Sequence, residues 1–164
     1  MFPLVSGGDL ALAKARIALR RREDGVDALI SAVPAARRDD PGLAYERFVW
    51  RMRKDRDKDA AQLIIAQSAA KNLGDPEQWA SRRRSLARQL MNAGDYATAY
   101  LVASDHGLTE GVDYADLEWL SGYILLRKLN RPADALQRFI NHNDGVVSPI
   151  SLGRAGYWLS LIHI

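Results

Sequence analysis

The stretch GDPEQWASRRRSLARQLMNAGDYATAYLVASDHG, Gly74 to Gly107, decides how the rest of the chain is read. With its aromatics, triple arginine, acids and histidine it reads either as a chemical site or as a building unit. Asp75-Pro76-Glu77-Gln78 is a helix start: Asp accepts from free amides, Pro fits a first turn that needs no N–H, and Gln can bond back. Leu86, Leu90 and Ala93 then recur at helical spacing as far as Gly94-Asp95, where glycine can take the left-handed conformation that ends a helix. A second helix follows, with Tyr96, Ala99, Tyr100 and Ala103 on its apolar side. Its alanines are small enough for another helix to come close. The unit is a helical hairpin.

The unit recurs. Helix starts stand at Asp40-Pro41, Asp75-Pro76, Asp113 with Asp116, and Ser148-Pro149, at steps of roughly 35, 38 and 35 residues. That is the period of helical-repeat arrays. Second helices carry an Asp ahead of small and apolar residues: Asp27-Ala28-Leu29, Asp59-Ala60-Ala61, Asp95-Tyr96-Ala97 and Asp134-Ala135-Leu136. Four hairpins and the start of a fifth result, with breaks expected near Gly25, Gly94 and Asn130. Trp119-Leu120-Ser121-Gly122 followed by Ala135-x-x-x-Phe139 loosely resembles the tetratricopeptide pattern. The fold class is therefore all-α: an α-α superhelix, an irregular tetratricopeptide-like solenoid of helical hairpins over residues 1–159, incomplete at both ends. At 164 residues and 48% apolar the chain can bury a continuous core, and no β-alternation of useful length occurs.

Charge narrows the function less than composition does. The excess is +3, from 23 basic and 20 acidic residues, but arginines cluster as Arg20-Arg21-Arg22, Arg37-Arg38 and Arg82-Arg83-Arg84. As an anion-binding stripe, Arg82, Arg83, Arg84, Arg20 and Arg21 are the candidate contacts for an acidic glycan. As a solvated face, the same side chains lay their stems over apolar neighbours. The acids beside them (Glu23, Asp24, Asp39, Asp40) favour the solvated face. Nucleic acid is not expected, because no stacking aromatics alternate with the arginines.

Catalytic constellations are scarce. The chain has no Cys and three His. That leaves no thiol nucleophile, and His106, His142 and His163 have no partner at metal-binding spacing. Helix-end capping or exposure is the reading for these histidines, and no cofactor or metal is expected. Glu118, with Asp116 and Glu110 near it, is the best candidate for a glycosidic acid, since Trp119 beside it could supply apolar surroundings. A structural role fits better: Asp116 sits one turn after the Asp113 cap, and the other positions of this helix pack. Ser6-Gly7-Gly8-Asp9 lacks the Lys of a phosphate loop. Trp50, Trp79, Trp119 and Trp158 each fall in the first helix of a hairpin, as inter-repeat packing residues would.

DPGLAYERFVWRMRKDRDKDAAQLI, HGLTEGVDYADLEWLSGYILLRKLNRPADALQRF and SPISLGRAGYWL carry a family likeness. Together they resemble the superhelical, non-catalytic region of bacterial soluble lytic murein transglycosylases, over roughly Leu10 to Leu159. The most specific parts are Tyr114 to Tyr123 and Ser148 to Leu159. The resemblance implies a periplasmic protein of peptidoglycan turnover, whose glycan strands it would contact. A separate lysozyme-like domain would cleave the glycan with a Glu-Ser motif and leave a 1,6-anhydro muramyl end. No Glu here is followed by Ser, so no catalytic residue carries over. Met1 to Val5 is too short for a signal sequence, so either the true start lies upstream or the chain stays inside the cell. The likeness stops at Leu159, and Ser160 to Ile164 reads as a non-native tail without a packing partner. The competing reading is a cytoplasmic tetratricopeptide-like adaptor that binds a protein partner in its concave face.

Overall fold

A computed structural model describes residues 7–162, all of whose regular structure is helical. The chain falls into two compact units, Met1–Gly74 and Asp75–Ile164. Residues 1–6 and 163–164, including Ser6 of the glycine-rich start and His163, lie outside the described residues.

The first unit holds α1 (Gly7–Arg21), α2 (Val26–Ser31), a 3-10 turn (Ala35–Arg37), α3 (Pro41–Arg53) and α4 (Asp57–Ala69). α1 packs on α2 and α3, and α3 on α4. Ala15, Ala18, Leu19, Val26, Val33 and Leu43 form its core, with Trp50 packed against them. The second unit holds α5 (Pro76–Asn92), α6 (Tyr96–Ser104), α7 (Gly111–Arg127), α8 (Pro132–Asp144) and α9 (Pro149–Ile162). There each helix packs on the next, and α5 also packs on α7. Within each unit the helices stack mostly on their chain neighbours, as a solenoid-like array of hairpins requires, except that α3 packs back on α1 and not on α2.

The caps explain most boundaries. Asp40 Oδ1 accepts from Leu43 N at 2.7 Å, and Asp75 Oδ1 from Glu77 N at 3.1 Å, each with Pro opening the helix. Ser148 Oγ accepts from Ser151 N at 3.2 Å. At the hairpin turn Gly94 has φ 85°. There Asp95 N donates to Leu90 O at 2.9 Å and Gly94 N to Met91 O at 3.1 Å, the paired bonds of a left-handed helix stop. Gly25 and Asn130 also have positive φ, so all three expected breaks are real.

Two expectations are corrected. α7 begins at Gly111, so Asp113 does not cap it; Asp113 lies in the first turn and pairs with Arg84 instead. Ser160 to Ile162 continue α9, and Ile162 packs on the Leu125, Ala135 and Phe139 cluster, so the end of this helix does have a partner.

The tryptophans pack as expected. Trp79 is fully buried. Trp158 of α9 lies stacked on Phe139 of α8 at 5.6 Å between ring centroids and edge-on to Trp119 and Tyr123 of α7. α7 and α8 come close because residue 122 is glycine: a Cβ there would stand 2.9 Å from the Phe139 ring.

Candidate functional site

The run Arg82-Arg83-Arg84 does not form one surface patch, because its middle member points inward. Arg83 is fully buried on α5, on the same face as Trp79, Leu86, Ala87 and Leu90. Its Nη1 donates to Val102 O at 2.7 Å and Asp105 O at 2.9 Å, so it binds the carbonyls where α6 ends. Burial lowers its pKa to about 10, against the opposing pull of Asp105, so the group stays charged at neutral pH. As a glycan contact Arg83 is therefore corrected: it closes off a helix end. Arg84 Nη1 bridges Asp113 at 3.0 Å and Asp116 at 2.6 Å, tying α5 to the first two turns of α7. Arg20 pairs with the buried Glu46, and exposed Arg21 lies 4.0 Å from Glu23. Half-buried Arg82, the remaining member of its run, makes no hydrogen bond or ion pair among the described residues.

The most concentrated polar chemistry centres on Glu118, only 3% exposed on α7. Oε1 accepts from Arg138 Nη1 of α8 at 2.8 Å and meets His106 Nε2 at 2.9 Å. Oε2 accepts from Asn141 Nδ2 of α8 at 3.0 Å. His106 Nδ1 accepts from Leu108 N at 3.1 Å, so the ring proton belongs on Nε2, which donates to Glu118. Arg138 Nη1 also reaches Ser104 O, the last residue of α6, at 3.3 Å. One carboxylate thus ties α7 to α8 and to the segment after α6. His106, just past the end of α6, and His142, in the last turn of α8, do stand at helix ends as expected, but exposure is corrected: both are buried. His142 Nδ1 donates to Ala115 O at 2.8 Å, while its Nε2 is buried without a hydrogen-bond partner.

This geometry does not suit a glycosidic acid. Burial pushes the Glu118 carboxyl up, but the His106 hydrogen bond, the Arg138 charge and the Asn141 hydrogen bond outweigh it and hold the group below its ordinary 4.5. A general acid needs the opposite shift and an oxygen free to reach a leaving group. Here both oxygens are occupied, and Asp116, the nearest acid in sequence, is engaged with Arg84. Among the described residues no group of three or more His, Asp or Glu is placed to hold a metal ion.

The same shift fixes a pH dependence. A carboxylate with a depressed folded pKa adds stability above its unfolded pKa and loses it as pH falls through the folded value. Urea unfolding should therefore show wild type losing its advantage over Glu118→Gln as pH drops below about 4.5. An advantage that stays constant from pH 6 to pH 3 would show that the carboxylate's charge is not what holds these helices.

Sequence reasoning missed both Arg83 and Glu118 as buried groups, although helical phase carried the signal. Position 83 follows Trp79 by four residues and precedes Leu86 and Leu90 by three and seven. Glu118 shares its face with Ala115, Gly122 and Leu125, all buried.

No protein-family model matches the chain, and neither a curated protein nor a solved structure does.

Proposed function

We propose that the chain is a non-catalytic superhelical segment of a periplasmic protein of the soluble lytic murein transglycosylase kind. It would shape a groove for glycan strands and support a lysozyme-like domain that performs the cleavage. The observation that carries this reading is where the two most specific blocks of the resemblance meet. Trp119 and Tyr123, from the block Tyr114 to Tyr123, surround Trp158, from the block Ser148 to Leu159, at centroid distances of 6.1 and 5.5 Å. The unusual residues of both blocks therefore have a joint packing task, which is the role such motifs would play in a scaffold. The pinned carboxylate of Glu118 supports the non-catalytic part of the reading.

Co-sedimentation of the full chain with purified murein sacculi tests the proposal. The chain should pellet at low salt and be released as salt rises, because exposed cation–anion contacts are screened over about 10 Å at 0.1 M. The Arg21→Glu/Arg82→Glu double variant should bind less; these two side chains are chosen because Arg83 and Arg84 are committed to internal bonds. A chain that stays in the supernatant at every salt concentration would remove the murein reading. Salt-insensitive binding, unchanged in the double variant, would return the arginines to a solvated face.

A further inference from the structure

Within the first unit, residues of α1, α2 and α3 line a partly open cleft of about 100 Å³ to which three arginines contribute. Arg47 and Arg51 come from α3 and Arg56 from the residue just before α4. Leu19, Val26 and Ile30 supply an apolar part of the lining, and Asp27 is the single carboxylate in it. Arg51 donates to Asp59 O at 2.8 Å and Arg56 pairs with the Asp59 carboxylate at 2.6 Å. Arg47 makes no hydrogen bond or ion pair among the described residues. Trp50 lines the same cavity, and its Nε1–H is buried with no acceptor. With Asp27 and Asp59 the three cations face two carboxylates, and Arg47 is the cation left without a hydrogen-bond or ion-pair partner among the described residues, beside a buried indole N–H with no acceptor. Burial lowers the Arg51 pKa first, and the charge of Arg47 lowers it further, so the like charges do act on one another.

We infer that this cavity binds an oxyanion, a carboxylate or phosphate group carried by a small ligand. Guanidinium forks match both groups in geometry, and that of Arg47 has its donors uncommitted among the described residues. A second recess of about 250 Å³ shares Ile30 and Arg47 with the first, which gives the rest of such a ligand a place to lie. The inference is independent of the murein reading, since it rests on the side chains lining a cavity of the first unit, whereas the observation that carries that reading is the packing of Trp119, Tyr123 and Trp158 in the second.

The test follows the indole N–H resonance of Trp50 by nitrogen-15 NMR in the full chain, assigned through its loss in Trp50→Phe. Inorganic phosphate, N-acetylglycine and the uncharged N-acetylglycinamide are titrated at constant ionic strength. A saturable shift with phosphate or with N-acetylglycine, and none with the amide, is expected; whichever anion gives it names the source of the group. Arg47→Gln should weaken binding at least about tenfold, the loss expected for a charge-assisted hydrogen bond. Arg56→Gln, at a side chain 47% exposed and so safe for folding, should weaken it severalfold if Arg47→Gln does not fold. No saturable shift with either anion would overturn the inference, and so would an affinity that neither variant changes.

Discussion

Glu118→Ala is expected to destabilise the second unit by about 3–5 kcal/mol, the cost of removing one partner from a buried ion pair. The carboxylate receives hydrogen bonds from His106, Arg138 and Asn141. Its removal strands a buried His106 N–H, a half-buried Asn141 amide and a guanidinium whose side chain is 25% exposed. Arg138 recovers part of its loss from water, because a quarter of its side chain is exposed, whereas His106, 4% exposed, cannot. Glu118→Gln keeps the shape and one acceptor oxygen, so it should cost clearly less. Urea unfolding followed by circular dichroism measures both. A cost under about 1 kcal/mol for the alanine variant would mean that the three donors find other partners and that the network is not what joins these helices.

Arg83→Met should cost about 2–4 kcal/mol, and the two sides of this estimate are separable. Methionine fills the volume and relieves the burial of a charge, which favours the variant. Against that, Val102 O loses its charge-assisted bond in a fully buried position, and Asp105 O loses one in an exposed residue that water can reach. Bonds to charged groups contribute about 1.5–3 kcal/mol each and a stranded buried acceptor costs about 1–3, so the loss wins. Arg83→Lys keeps the charge without the fork and should fall between. Amide exchange in α6 gives a local reading: the C-terminal turn should open first in Arg83→Met. Unchanged protection there would show that α6 does not depend on this cap.

These expectations show where the sequence was legible. Asp40-Pro41, Asp75-Pro76 and Gly94-Asp95 specify local geometry through atoms only a few residues apart, so their reading survives folding. The tryptophans were legible because their phase repeats from hairpin to hairpin. Asp113 was misread for the opposite reason. An acid at a helix start satisfies a cap and a distant cation equally well in sequence, and Arg84 lies 29 positions away. The triple arginine misled by composition: three adjacent cations suggest one surface, but consecutive helical residues point about 100° apart and cannot share a face. Helical phase places Arg83 inward, while its acceptors on α6 depend on how the hairpin closes. Likewise the phase of Glu118 was readable, but its partner His106 stands in an irregular segment after α6 whose path no periodicity encodes.

The central proposal is that this chain would contribute scaffold and no bond-breaking group to murein turnover. Cleavage needs a protonated carboxyl beside a site that stabilises the developing positive sugar, and a good acid contributes about 100-fold to 10,000-fold in rate. Glu118, the best-placed candidate acid, is held ionised and fully engaged. The direct measurement is chromatography of muropeptides after incubating the purified chain with peptidoglycan. The account predicts no 1,6-anhydro muropeptides above a buffer control. Product above that control which disappears in a folded Glu118→Gln variant would contradict it, and would make Glu118 a catalytic acid.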